Sequence, residues 1–209
     1  MSKKERKLTR KELERKEWFE KTCLKLEQEG FKSKHLTMSV VKANILAIFV
    51  MMPFILFFWW LYNTVNLEID TNISSVWSVL FLPILIFLVV IHEVIHGITW
   101  GIFAKDHFKS IEFGVIWQML TPYCACKGLL KKWQYMLGSL MPTIILGGVM
   151  ALISIFLNNY LLFLLSLLMI ISGGGDFIIV LMIIFHKVTG KYTLFCDHPY
   201  KLGVVVFER

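Results

Sequence analysis

His92-Glu93-Val94-Ile95-His96 is the stretch of this 209-residue chain whose residue types and spacing can do chemistry. On a helix, positions four apart lie on one face, one turn from each other. Two imidazoles so placed can share one Zn²⁺, and the Glu between them stands beside the ion as a general base for water. Zinc chemistry of this kind uses three protein ligands and keeps a fourth position open. By chance the pattern arises roughly once in a hundred chains of this make-up.

The elements that must position these groups are membrane spans. The chain is 56% hydrophobic and 18% charged, with a mean hydropathy of +0.65. A soluble domain is about 45–50% apolar and about 25% charged. The apolar residues lie in long blocks, which excludes a disordered tail, a collagen-like fibre and a disulfide-stapled miniprotein. A spanning helix needs about 20 such residues, and four blocks qualify: 41–62, 76–104, 134–157 and 160–185. The motif falls in the second. Asn158-Asn159 makes a tight turn, so the third and fourth spans form an antiparallel pair.

The net charge of +7 then reads as topology. Thirteen Lys and Arg lie up to Lys42 at the head of the first span, five lie between spans two and three, and four lie in the tail. All 22 fall on one side, so both termini are expected in the cytoplasm of a multi-pass cell-membrane protein. The basic charge points to membrane lipid as a partner, not nucleic acid. The basic start, followed by a long mixed segment, does not fit a cleavable leader.

Depth selects the third ligand from Asp176, Asp197, His186, His198, Asp106 and His107. His92 and His96 precede Lys105 by 13 and 9 residues, and Asp176 precedes Lys187 by 11. At about 1.5 Å per residue the three stand roughly 20, 14 and 17 Å from the cytoplasmic edge, so they are level. Asp176 also follows Gly173-Gly174-Gly175, which lets another helix come close. Ionisable groups inside a membrane are costly, about 2.5–3.5 kcal/mol each on insertion scales, and mark function. The other reading of such a cluster is a polar lock between helices, or a path for protons or metal. Asp197, in the tail's Asp197-His198-Pro199-Tyr200 turn, is the second choice of ligand.

The remaining segments give weaker signals. Residues 1–35 mix both charge signs around sparse apolar positions and read as a cytoplasmic, interfacial helix ending near Gly30. Ile111, Phe113, Val115 and Trp117 alternate with Glu112, Gly114, Ile116 and Gln118, a period of two that suits a strand. Such a strand, in a short cytoplasmic β-hairpin or loop between spans two and three, could hold substrate through Phe113, Val115 and Trp117. An interfacial loop anchored by Trp117 and Tyr123 fits the same residues. Cys124 and Cys126 read as ordinary reduced thiols before a soft-metal or redox pair. Pro142 kinks the third span and frees a carbonyl. Gly203–Phe207 is a Val-rich closing strand.

The motif in one span and an Asp in a later one resemble the intramembrane zinc proteases of the site-2 type. Those show Leu-Asp-Gly at the Asp, where this chain has Gly175-Asp176-Phe177. A closer resemblance is to the DUF3267 family of bacterial zincin-type peptidases. It is carried by Ile91 to Gly97, Glu112-Phe113-Gly114, Thr121-Pro122-Tyr123, Pro142, Gly175-Asp176, and Asp197 through Gly203. It covers about residues 36–206. It implies His92, His96 and Asp176 as zinc ligands and Glu93 as catalytic acid/base.

The expectation is thus an all-α membrane protein of about four transmembrane helices. It comprises an N-terminal helix (1–35), a membrane-embedded zincin-like domain (36–206) and a cytoplasmic tail (187–209). Its expected function is a zinc metalloprotease acting on a membrane-anchored or membrane-adjacent polypeptide. The alternative is a non-proteolytic protein of the same fold, either a metal binder or transporter, or an accessory or immunity-type partner. The sequence leaves the oligomeric state open.

Overall fold

Each apolar block becomes helix, because a chain in lipid has to satisfy its backbone polar groups internally. The structure, a computed structural model, describes residues 10–66, 68, 74–116 and 121–209. After α1 (Arg10–Gln28) and β1 (Lys32–Thr37) come α2 (Val40–Val65) and α3 (Ser75–Phe103). A hairpin of β2 (Ile111–Ile116) and β3 (Thr121–Cys126) leads to α4 (Lys132–Pro142), a wide π-helical stretch (Thr143–Val149) and α5 (Met150–Phe156). Next come α6 (Tyr160–Ser172), α7 (Gly174–Phe185), β4 (Thr193–Asp197) and β5 (Gly203–Glu208).

Among the described residues, three helical units are long and apolar enough to cross a membrane: α2, α3 and Lys132–Phe156. The pair α6–α7 makes a fourth if counted as one span bent by 42°. Large apolar side chains such as Phe49, Val79 and Phe87 stand exposed on α2 and α3, and water would penalise so wide an apolar surface. The protein is therefore mostly helical with apolar spanning helices, as hydropathy predicts. It is not all-α, since two small sheets accompany the helices.

Small residues let the helices close on the site. A Cβ on Gly173 would strike the Thr143 side chain, and one on Gly174 would lie 2.6 Å from Ala47 Cβ. The break at Gly173 thus sits where α7 passes α2 and the π-helical stretch. The turn between α5 and α6 uses Asn158 at φ 47°, and Asn159 Oδ1 accepts from Leu162 N at 2.9 Å to start α6.

The larger sheet runs β1-β5-β4, antiparallel throughout. Its central strand has two apolar faces, and the period of two sends them to different cores. Val205 and Phe207 pack with Phe19, Leu26 and Phe31 under α1. Val204 and Val206 pack with Trp100, Leu130, Tyr135 and Ile183 at the ends of the membrane helices. α1 ends at Gln28, close to the end near Gly30 read from the sequence, but the strand β1 that follows at Lys32 was not anticipated. β1 escapes notice because an edge strand with Lys32 and Lys34 facing water shows no apolar alternation.

Glu208 anchors this sheet to the end of α7. Its carboxylate accepts from Thr189 Oγ1 at 2.6 Å, His186 Nε2 at 2.7 Å and Lys34 Nζ at 3.2 Å. Burial pushes the carboxyl up, but these donors outweigh it and hold it at about 2, below the ordinary 4.5. A depressed pKa stabilises the fold above the unfolded value. That stability is expected to drain as pH falls from about 4.5 towards about 2. Thermal unfolding in detergent across this window checks it: Glu208→Gln should lower the melting temperature at pH 6 and flatten its decline in acid. An unchanged acid slope would count against the assignment.

Candidate metal centre and cavity

One turn of α3 presents His92 and His96 on the face towards α4 and α7, and both are buried. Asp176 comes from the first turn of α7. His92 Nε2 lies 3.3 Å from Asp176 Oδ2, His96 Nε2 lies 3.4 Å from the same oxygen, and the two Nε2 atoms are 3.2 Å apart. The sequence-predicted trio is thus brought to one point. Zn–N and Zn–O bonds of about 2.0–2.1 Å in a tetrahedron place neighbouring ligand atoms about 3.3–3.4 Å apart. The three observed separations fit that figure. Two imidazole nitrogens and a carboxylate are also the donor set zinc takes.

The backbone fixes the tautomer that such binding needs. His96 Nδ1 lies 2.8 Å from the Gly138 carbonyl, a contact in which only a protonated Nδ1 can donate. Its Nε2 lone pair is then left facing the other two ligand atoms. A Cβ on Gly138 would run into the Trp100 ring, and that ring stacks on His96 at 4.9 Å and 15°. Trp100 Nε1 donates to Tyr135 O at 3.1 Å, and Tyr135 Oη donates to Asp197 Oδ1 at 2.5 Å. Trp100 stands four residues beyond His96, so helical spacing could have found it. Nothing in the sequence announces the Gly138 carbonyl.

His92, Glu93, His96 and Asp176 line a cavity of about 800 Å³ between the helices and the sheet. β3 forms one wall. In the β2–β3 register, Cys126, Cys124 and Pro122 turn their backbone groups away from β2. Asp197 Oδ2 accepts from Cys126 N at 2.8 Å, Pro122 has no N–H, and Cys124 lines the cavity alongside Glu93.

The other predicted residues fall elsewhere. Phe113 packs its ring against Gly97 on α3, and Val115 is 36% exposed. Neither lines the cavity, and Trp117 lies outside the described residues. The cavity strand is β3, whose Thr-Pro-Tyr-Cys-Ala-Cys run carries no alternation of apolar and polar residues to announce it. Asp197, the second-choice ligand, is already engaged by Tyr135 and Cys126. His186 holds Glu208, while Asp106 and His107 are exposed. Burial pushes the Cys124 thiol well up and Cys126 to about 12, so both remain thiols. Sequence reasoning missed Arg15, which reaches the cavity from α1.

A family model matches residues 85–189, from the middle of α3 to just past α7. This is narrower than the 36–206 over which the resemblance was read, and it leaves out α1, β1, α2, β4 and β5. No curated protein and no solved structure matches the chain. The matched half contains His92, Glu93, His96 and Asp176, and the chain belongs to the DUF3267 family, described as "Putative zincin peptidase".

Proposed function

We propose that this protein is an intramembrane zinc metalloprotease that cleaves a membrane-anchored or membrane-adjacent polypeptide. The observation that carries the reading is the convergence of His92, His96 and Asp176 within 4.8 Å of one another, beside Glu93 in a cavity large enough for an extended peptide. Both termini are assigned to the cytoplasm on the distribution of basic residues, and membrane lipid is the surrounding partner. The cavity then opens to the cytoplasmic side, where water can enter.

His92, His96 and Asp176 would hold the ion. When bound, Zn²⁺ supplies Lewis acidity to a peptide carbonyl and to water. Glu93 takes the proton from the attacking water and returns it to the departing amine nitrogen. A substrate strand pairing along the outer edge of β3 would meet Cys124 as its amide donor. This moves the substrate-holding role from β2, where Phe113 and Val115 sit, to its partner strand. Trp100 and Gly138 keep the His96 ring from turning out of position.

The test is metal removal. Hydrolysis of a fluorogenic peptide carried on a membrane anchor, by protein in nanodiscs, should vanish on treatment with a chelator. Added Zn²⁺ should restore it, and Mg²⁺ should not. Hydrolysis that persists in fully demetallated protein would end the reading.

A further inference from the structure

Arg15 is a buried cation with no ion pair among the described residues. It lies on α1 at 8% exposure and lines the cavity that holds His92, Glu93, His96 and Asp176. Its guanidinium carbon sits 5.0 Å over the Tyr123 ring, on the cavity wall that β3 forms. Its Nε is buried with no hydrogen-bond partner, and among the described residues the side chain has no ion pair. The other basic residues of α1 behave differently. Arg10 pairs with Glu14 at 3.1 Å and Lys16 with Glu20 at 3.8 Å, both on the exposed face.

Asp197 feels the charge of Arg15, yet it does not neutralise it by contact. Its Oδ1 accepts from Tyr135 and its Oδ2 from Cys126 N. Burying the Nε of a guanidinium with no hydrogen-bond partner is costly. The cost is recovered if an anion enters the cavity with the ligand. A guanidinium held over an aromatic ring can still turn its N–H groups to a carboxylate and take it through two parallel hydrogen bonds. Lys201 also lines this cavity, adding positive charge.

We infer that Arg15 is the recognition residue for a carboxylate on the polypeptide substrate, either an acidic side chain or a free C-terminus. The inference rests on the peptidase reading for the nature of the ligand. It makes the N-terminal helix part of the substrate site, although that helix lies outside the family-matched residues. Selection for an acidic group in the part of the substrate held within the cavity follows.

The test uses binding, so that it does not depend on turnover. Full-length, zinc-loaded Glu93→Gln protein in nanodiscs is titrated with pairs of labelled peptides. Members of a pair differ only by Glu against Gln at one position, or by a free against an amidated C-terminus. One pair should favour the acid by about tenfold or more, the worth of a charge-assisted bond. Arg15→Gln should bring the two members to within about twofold of each other. Arg15→Lys should keep part of the preference, and Arg15→Glu should reverse it towards a Lys-bearing peptide.

Three outcomes overturn the inference. One is the absence of acid preference in every pair. Another is a preference that survives Arg15→Gln, or an equal loss for both members, which marks a packing role. The last is Arg15-dependent binding of phosphatidylglycerol vesicles without any peptide preference, which assigns the site to lipid. The peptidase reading is scored separately. Arg15-dependent acid preference with no hydrolysis by the Glu93-containing protein defeats that reading and leaves the recognition standing. Hydrolysis without acid preference does the reverse.

Discussion

Purified Glu93→Gln protein is expected to retain zinc at the wild-type stoichiometry and to lose peptide hydrolysis by roughly 10²–10⁴-fold, the usual worth of a general acid/base. The separation of the two effects is the informative part. Glu93 lines the cavity with His92, His96 and Asp176 but is not one of the three residues whose ligand atoms converge. An amide in its place has nearly the same shape. It cannot take a proton from water. Metal analysis and single-turnover hydrolysis on one preparation measure both quantities. A variant that hydrolyses at the wild-type rate would remove Glu93 from the reaction. A variant that loses its zinc would place Glu93 among the ligands.

Asp176→Ala is expected to have the opposite signature, with the metal lost and activity lost with it. Removing a neighbour of a ligand lowers metal affinity by about 10–100-fold, so removing a ligand should exceed that. The two imidazoles would then share their ion with nothing on the α7 side, since Asp176 supplies the oxygen both of them face at 3.3 and 3.4 Å. Competition with a coloured chelator measures the affinity. Asp197→Asn is the control. That carboxylate is occupied by Tyr135 and Cys126, so the variant should keep its zinc. Full zinc in Asp176→Ala would exclude Asp176 from the site, and loss in Asp197→Asn would turn attention to β4.

The meeting of His92, His96 and Asp176 was more legible in the sequence than the packing of the N-terminal helix. His92, Glu93 and His96 are readable because helical spacing turns a short motif into geometry. Asp176 is readable because membrane thickness converts residue counts into depth, and because lipid makes a lone carboxylate conspicuous. Arg15 had no such background. In a helix rich in both charge signs it looks like its neighbours Arg10 and Lys16, and only the docking of Phe19 and Leu26 onto β5 turns it inward. β1 was hidden for a related reason, its partner supplying nearly all the apolar content. The Gly138 carbonyl and the outer edge of β3 are backbone features, and residue types say little about where a carbonyl or an amide points. The hairpin signal lay in β2, while the cavity is walled by β3, since pairing shows which strands meet and not which of them faces the site.

β5 gives one face to each of two apolar cores, so neither core is complete without it. The N-terminal helix is therefore joined to the membrane helices by a shared wall rather than by a hinge. Segments that share a wall belong to one cooperative unit rather than to separate ones. A ligand reaching from His92 and Asp176 to Arg15 would touch both sides of that wall, and its binding energy would be felt as resistance to unfolding throughout the molecule. Occupancy of the cavity and integrity of the fold are in this sense one equilibrium.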